Sequence, residues 1–295
     1  MEKRIENHRI ITTTKTAYGQ SKEMGMYALA AAVNELQAAG AEQLCAEIEI
    51  TIPMYAFKSR MHTMEKIMKQ LCKEKKIELA NIRSEKSSIV NQTMVRVTLM
   101  GVAKVKEKET PQYEGQTIVM TKWAGMEGML RIATEQEASL RERFSTGFMK
   151  QILSYKEAVF SEKEIALARE AGVSIIRQVT EGGILAALWN LAKETGTGLE
   201  ADLRQLPVLQ ETIEVCEHFR LNPYQLTSAG TLLLVTEDGE NLVEVLKEHD
   251  IPARIVGKLT DNNDKILQNG EEVRYIDRPA PDELMKIFEQ ETCNA

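Results

Sequence analysis

Residues 43–52 alternate between apolar and polar side chains: Leu44, Ala46, Ile48, Ile50 and Ile52 fall on one side, Cys45, Glu47, Glu49 and Thr51 on the other. Period two is the repeat of a half-buried strand, so this stretch predicts one. Arg9 to Tyr18, rich in Ile and Thr, predicts another, because β-branched side chains fit a pleated surface. Two segments change period. Met24 to Ala39 carries Leu29, Val33 and Leu36 at helical spacing in an Ala-rich run that stops at Gly40. Phe57 to Lys75 puts Met61, Met64, Ile67, Met68 and Leu71 on one face and gathers lysines toward its C-terminal end, where they complement the helix dipole. The methionine stripe reads as core rather than as a groove. With the apolar stretch Thr93 to Val105 the order becomes strand, helix, strand, helix, strand, a split βαβ unit with helices on one face of a single sheet. Thr93 to Val105 is apolar on both faces, so a homodimer is expected to cover the face the helices leave open.

The charged, proline-bearing stretch Lys106 to Gln116 marks a boundary. It separates an N-terminal domain at 1–108 from a mixed α/β domain at 109–285, with a tail at 286–295. The second domain reads as a strand at Thr117 to Thr121, a glycine-punctuated turn and a helix through Arg141. Ser161 and Glu164 have capping-box spacing at the start of a helix that Gly172 ends. A strand at Val173 to Val179 runs into Thr180-Glu181-Gly182-Gly183 and a helix from Ile184 to Glu194. Then come a helix after Pro207, a strand at Thr231 to Thr236, a helix at Asn241 to His249, a strand at Ala253 to Leu259, and a hairpin about Asn269-Gly270. A short helix follows Pro279 and Pro281.

Composition narrows the function classes. The chain has 295 residues, 43% hydrophobic and 27% charged, the profile of a folded two-domain protein. A net charge of −7 without a basic, aromatic-laced stripe argues against nucleic acid. No apolar run approaches the roughly 18 residues that span a bilayer, and the polar N-terminus lacks a signal peptide's apolar core, so a cytoplasmic protein with no membrane partner is expected. Cys45, Cys72, Cys216 and Cys293 show no paired CxxC spacing, and the lone Cys216-x-His218 points its side chains apart on a helix; no metal site is expected.

Two strand-to-helix turns are candidate anion cradles. Thr180, Gly182 and Gly183 place backbone N–H groups at a helix start, and Lys122, Gly125 and Gly128 do the same with a cation added. Glycines at such turns also serve simply to let the chain bend. The Walker-type and G-x-G-x-x-G nucleotide motifs and G-x-S-x-G are absent.

Taken in order, Val179-Thr-Glu-Gly-Gly-Ile-Leu-Ala-Ala-Leu-Trp-Asn-Leu-Ala, Thr195-Gly-Thr-Gly-Leu-Glu-Ala-Asp-Leu and Leu226-Thr-Ser-Ala-Gly-Thr-Leu-Leu-Leu resemble the C-terminal domain of the aminoimidazole ribonucleotide (AIR) synthetase, or PurM-like, superfamily. Thr121-Lys-Trp-Ala-Gly-Met-Glu-Gly and Ala30-Ala-Ala-Val-Asn-Glu-Leu-Gln-Ala-Ala-Gly-Ala-Glu are most similar to its HypE-related branch, and the resemblance spans about residues 9 to 285. It implies an α+β fold of two domains, an N-terminal dimerisation and nucleotide-site domain at 1–108 that pairs across a dimer into a β-barrel, and ATP with magnesium near the barrel mouth. It also implies phosphoryl activation of an oxygen, which in HypE turns a carboxamide into a nitrile for the iron of nickel-iron hydrogenases, in concert with maturation partners.

The acidic positions of that pattern differ in this chain. Its glycine-rich segment and Asp-Asp element have no counterpart ahead of the first strand. Thr-Thr-Asp appears as Thr13-Thr14-Lys15, Asn-Asp as Asn34-Glu35, the Gly-Asp-Thr metal loop as Ile82-Arg83-Ser84, and His-Asp as Arg177-Gln178. The terminal cysteine of HypE is matched only by Cys293, which is followed by two further residues and is expected not to be an essential thiol carrier. If Lys15, Arg83 and Arg177 converge around Asn34 and Glu35, the pocket is net positive and prefers a phosphate-bearing small molecule to a metal–nucleotide complex. Glu35 is then the one candidate catalytic carboxylate, and the expected protein is a HypE-like scaffold with a degraded ATP site. The alternatives are an active ATP-dependent maturation enzyme and a non-catalytic ligand- or partner-binding module.

Overall fold

The computed structural model describes residues 7–104 and 112–288, and the chain divides into two compact units, Met1–Lys108 and Glu109–Ala295. Cys293 lies outside the described residues.

The first unit consists of β1 (His8–Gly19), α1 (Gly25–Ala38), β2 (Ala41–Pro53), α2 (Lys58–Glu74), β3 (Glu78–Ser87) and β4 (Thr93–Lys104). Its four-stranded sheet runs β1-β4-β2-β3, with β2 and β3 parallel and the other pairs antiparallel. The alternation in β2 does what its period demands: Ala46, Ile48, Ile50 and Ile52 are buried with Val95, Val97 and Leu99 of β4. Leu29 and Val33 of α1 and Met64 and Met68 of α2 are buried too, so the methionine stripe is core. A Cβ on Gly25 would stand 2.4 Å from Met68 Sδ and 3.1 Å from Val95 Cγ1; glycine there lets α1 come close to both.

Two features differ from the sequence reading. The sheet gains a fourth strand, β3, whose polar sequence ELANIRSEKS carries no apolar repeat. The open face of β4 is mixed rather than apolar, because Met94, Met100 and Val102 share it with Arg96, Thr98 and Lys104. Thr14 and Thr98 share a hydrogen bond of 3.0 Å, and Arg96 meets Glu49 at 3.5 Å. The sheet is open, with β1 and β3 at its edges, and does not close into a barrel within one chain.

The second unit contains β5 (Thr117–Thr121), α3 (Met126–Glu135), α4 (Glu137–Arg143), α5 (Thr146–Ser154), α6 (Glu162–Glu170), β6 (Ile175–Gln178) and α7 (Gly183–Thr195). It continues with β7 (Gly198–Asp202), α8 (Gln210–Phe219), β8 (Leu232–Thr236), α9 (Gly239–Glu248), β9 (Ala253–Thr260), β10 (Lys265–Asn269) and β11 (Glu272–Tyr275). Seven strands run β11-β10-β7-β9-β5-β8-β6, all neighbours antiparallel except the β10/β7 pair. The core is formed by Ile118, Met120, Leu188, Leu191, Leu233, Val235 and Val256 with their neighbours. The predicted hairpin forms, but its two-residue turn is Gly270-Glu271: Asn269 is the last residue of β10, paired with Glu272, and Gly270 supplies the positive φ of +67.

The capping box does not form. Ser161 Oγ donates instead to Gly230 O at 2.7 Å, while Glu164 turns inward to Lys122. An internal cation for Glu164 outweighs one backbone N–H at a helix end. Among the described residues, no helix is long and apolar enough to cross a membrane.

Candidate functional site

In the first unit, alternation decides which candidate residues meet. Lys15 pairs in register with Val97, Val97 with Ile48, and Ile48 with Ile82, so Lys15 is on the helix-covered face. There its ammonium ion-pairs with Glu35, and Thr13 Oγ1 donates to the other carboxylate oxygen at 2.6 Å. Asn34 is fully buried beside them in the sequence.

Arg83 does not join this group. It pairs in register with Glu49, whose own partner is Arg96, and its guanidinium meets Glu47 at 3.7 Å. Residues in that row face away from the helices, so the expected convergence of Arg83 with Lys15 is corrected. The assignment of Ile82-Arg83-Ser84 to a metal loop is corrected as well, since these residues are mid-strand in β3. Arg177, on β6 of the second unit, is ion-paired with Glu194.

Magnesium takes six oxygen donors in a near-octahedral shell. Glu35 already has one oxygen on an ammonium and the other on a hydroxyl, so Lys15, Thr13 and Glu35 as paired here do not fit a magnesium ion.

In the second unit, the motif around Lys122 is built into the interior. The Lys122 ammonium donates to Ala158 O at 2.8 Å and Phe160 O at 2.7 Å and pairs with Glu164 at 2.7 Å, both side chains 7% exposed. Gly125, at φ +72, donates its N–H to Ser228 Oγ at 2.6 Å. A Cβ on Gly128 would be 2.3 Å from Leu226 Cγ, so glycine here serves close packing. Glu127, between them, accepts from Thr227 Oγ1 at 2.7 Å and Ala229 N at 2.9 Å and pairs with Arg131 at 3.3 Å. Thr121 to Gly128 and Leu226 to Thr231, far apart in sequence, are thus the two halves of one buried polar network.

The other glycine turn is likewise held from within. Gly182 and Gly183 have φ of +78 and +67, and a Cβ on Gly183 would stand 2.5 Å from Tyr224 O. The Gly183 N–H donates to Thr180 O at 3.0 Å. The Gly182 N–H donates to Asp282 Oδ2 at 2.7 Å, and Leu284 N donates to Asp282 Oδ1 at 2.9 Å. A carboxylate of the chain itself therefore occupies the start of α7. Burial raises the Asp282 pKa to about 6, the backbone donors of Leu284 and Gly182 pull it down, and repulsion from Glu127 adds to the rise. Sequence reasoning missed Asp282 because a single acid after Pro281 carries no local signal.

A separate cleft of about 510 Å³ lies between β7, β9 and the start of α9, with Glu200, Asp202, Glu237 and Asp238 among its lining. Glu200 pairs with Lys258 at 3.3 Å. Among the thiols, burial pushes Cys72 up to about 11 and Cys216 up to about 12, so neither is a nucleophile. Cys216 is buried, and His218 bonds Ser139 Oγ at 3.0 Å.

An open split βαβ sheet joined to a mixed α/β unit with these two stitched turns defines a class. Residues 114–269 match the AIR synthase related protein family, C-terminal domain, and the chain belongs to that family. Its relatives include hydrogenase expression and maturation proteins and PurL subunits of phosphoribosylformylglycinamidine synthase. A putative hydrogenase expression/formation protein of Methanocaldococcus jannaschii is 22% identical over 285 residues, covering 93% of this chain and 82% of that protein. Carbamoyl dehydratase HypE of Cupriavidus necator is 27% identical over 135 residues, 44% of this chain and 38% of that one. The crystal structure of E. coli HypE superposes with a TM-score of 0.77 at 16% identity, covering 95% of this chain and 88% of that chain.

Proposed function

We propose that this chain is a HypE-like maturation-family protein that retains the superfamily scaffold as a homodimer but does not run magnesium-dependent ATP chemistry at the first-strand site. The observation that carries the reading is Lys15 seated on Glu35, with Thr13 on the remaining carboxylate oxygen. A phosphoryl group in transfer needs its developing charge met by metal ions and positioned donors. Here the local carboxylate is committed to an internal cation, and Arg83 is on the other side of the sheet.

A phosphate-bearing ligand remains part of the proposal, but it has to exchange with carboxylates. Lys15, Arg83 and Arg177 are each paired with a glutamate, so an incoming anion competes for them. Removing Glu35 separates the possibilities. In an assay with magnesium and ATP, the wild type is expected to hydrolyse no more than background, and calorimetry with inorganic phosphate is expected to show tighter binding by Glu35→Ala than by wild type. Hydrolysis that is well above background in wild type and disappears in Glu35→Ala overturns the reading.

One observation favours a second reading, an active ATP-dependent enzyme. A HypE structure in complex with ATP superposes with a TM-score of 0.70, and a thiamine-monophosphate kinase structure complexed with AMPPCP and TMP with 0.68, at 14% and 16% identity. The same hydrolysis assay decides between the two. A maturation partner protein is also proposed, on the precedent of a HypE–HypF complex structure that shares this fold at a TM-score of 0.68. Light scattering checks the homodimer, and a monomer at micromolar concentration would exclude it.

A further inference from the structure

The chain's charge is unevenly divided. Residues 1–108 carry 18 Lys+Arg against 12 Asp+Glu, whereas residues 109–295 carry 19 against 32. In the basic part half of this excess is on α2, which carries Lys58, Arg60, Lys66, Lys69 and Lys73 against Glu65 and Glu74; Lys58, Lys66, Lys69 and Lys73 are all exposed. Among the described residues none of these four is in an ion pair, while Arg96, Arg141 and Arg177 each sit on a carboxylate. Like charges at helical spacing repel and cost stability, so this face gains when something anionic covers it.

A second, independent feature adjoins the first. Met54, Tyr55 and Phe57, in the loop that leads into α2, are 57%, 70% and 81% exposed, and Ile89, in the loop between β3 and β4, is 92% exposed. Tyr55 Oη donates to Asn91 O at 2.6 Å and ties the two loops together. The Arg60 guanidinium donates to Gln20 O, which holds the first turn of α2 in place. Large apolar and aromatic groups fixed in this way, beside a charged rim, are the ingredients of an interface centre.

We infer that the Tyr55–Phe57/Ile89 knob and the lysine stripe of α2 form one docking surface for an acidic protein partner that presents an apolar contact. This rests on the surface alone and is independent of whether the chain turns over ATP. A membrane suits the pattern less well, because the apolar side of α2 is buried under the sheet through Met64, Met68 and Leu71 and the helix cannot lie in a lipid interface. Nucleic acid is disfavoured by the acidic excess over residues 109–295.

The test uses the full chain and a fluorescent helical peptide with Glu on one face and Leu on the other, measured by anisotropy over a range of ionic strength. Wild type is expected to bind it, with affinity falling as salt rises. Lys66→Glu/Lys69→Glu/Lys73→Glu should weaken binding about tenfold or more and flatten the salt dependence. Phe57→Ser/Ile89→Ser should weaken it by a similar factor and keep the salt dependence. Both variants alter exposed residues, and unchanged thermal unfolding confirms that they fold. No binding of the peptide by wild type overturns the inference. So does tighter binding of phosphatidylserine vesicles or duplex DNA than of the peptide. A dimer that Phe57→Ser/Ile89→Ser dissociates also overturns it, because the occupant is then a second copy.

Discussion

Lys15 and Lys122 are both paired with a glutamate, yet they occupy opposite environments. Lys122 is 7% exposed, with two carbonyls and the Glu164 carboxylate around its ammonium. Lys15 is 26% exposed, on a glutamate that is itself 39% exposed. Lys122 is built into the interior of its unit, whereas Lys15 keeps part of its hydration.

The comparison predicts a large effect at one lysine and a small one at the other. Lys122→Ala leaves the Glu164 carboxylate buried and two carbonyls unanswered, and should destabilise the protein by about 3–5 kcal/mol, read from the urea midpoint. Lys122→Met with Glu164→Leu should recover most of that loss, because the isolated charge rather than the missing pair is what costs. If Lys122→Ala unfolds with the wild type, Lys122 is not structural and returns as a ligand candidate. Gly128→Ala comes next. Its new Cβ would overlap Leu226, and overpacking of this kind costs about 1–3 kcal/mol in the same measurement.

Asp282 lies between the extremes and adds a pH dependence. Its pKa of about 6 in the folded protein is above its ordinary 3.8, so the folded state favours the protonated form. That contribution is fully present below about pH 4 and lost as pH rises through about 6. Asp282→Asn keeps an acceptor for the Gly182 N–H but turns its amide nitrogen toward the Leu284 N–H, so the readout is the slope. From about pH 4 to pH 7 wild type should lose on the order of 3 kcal/mol relative to Asp282→Asn, whose own profile lacks this titration. Thermal unfolding of both proteins across that window checks this; parallel pH profiles would mean that Asp282 is solvated rather than docked on α7.

What the sequence discloses follows the same division. Buried, regular elements announce themselves: the period-two run of β2 and the methionine face of α2 are legible because one side of each is dry. β3 is not, since an edge strand with polar side chains on both faces has no repeat to detect. Arg83 was misplaced for the same reason. One residue of register moves a side chain to the other face of the sheet, and register is set by pairing with β2, which the local sequence does not encode. The Glu127 network is half legible: both of its segments resemble family motifs, but only the fold brings Thr227 and Ala229 to Glu127. Asp282 depends on a contact a hundred residues away and left no trace in the sequence.

The smallest expected effect on stability tests the other side of the comparison. Lys15→Ala removes a pair that water already screens, and should cost no more than about 1 kcal/mol. Lys15→Asp asks more, because it replaces the cation on the strand with an acid and sets a second carboxylate beside Glu35 and Thr13. Two carboxylates and a hydroxyl make a better hard-cation site than an ammonium on one of them. Unliganded, the two acids repel, so Lys15→Asp should be less stable than Lys15→Ala in chelator and should regain stability as magnesium is added. The wild type should not respond to magnesium at all. Thermal unfolding with and without the ion reads this directly, independently of any turnover. If the wild type is stabilised by magnesium as strongly as Lys15→Asp, the Lys15–Glu35 pair does not exclude the metal and the active-enzyme reading gains.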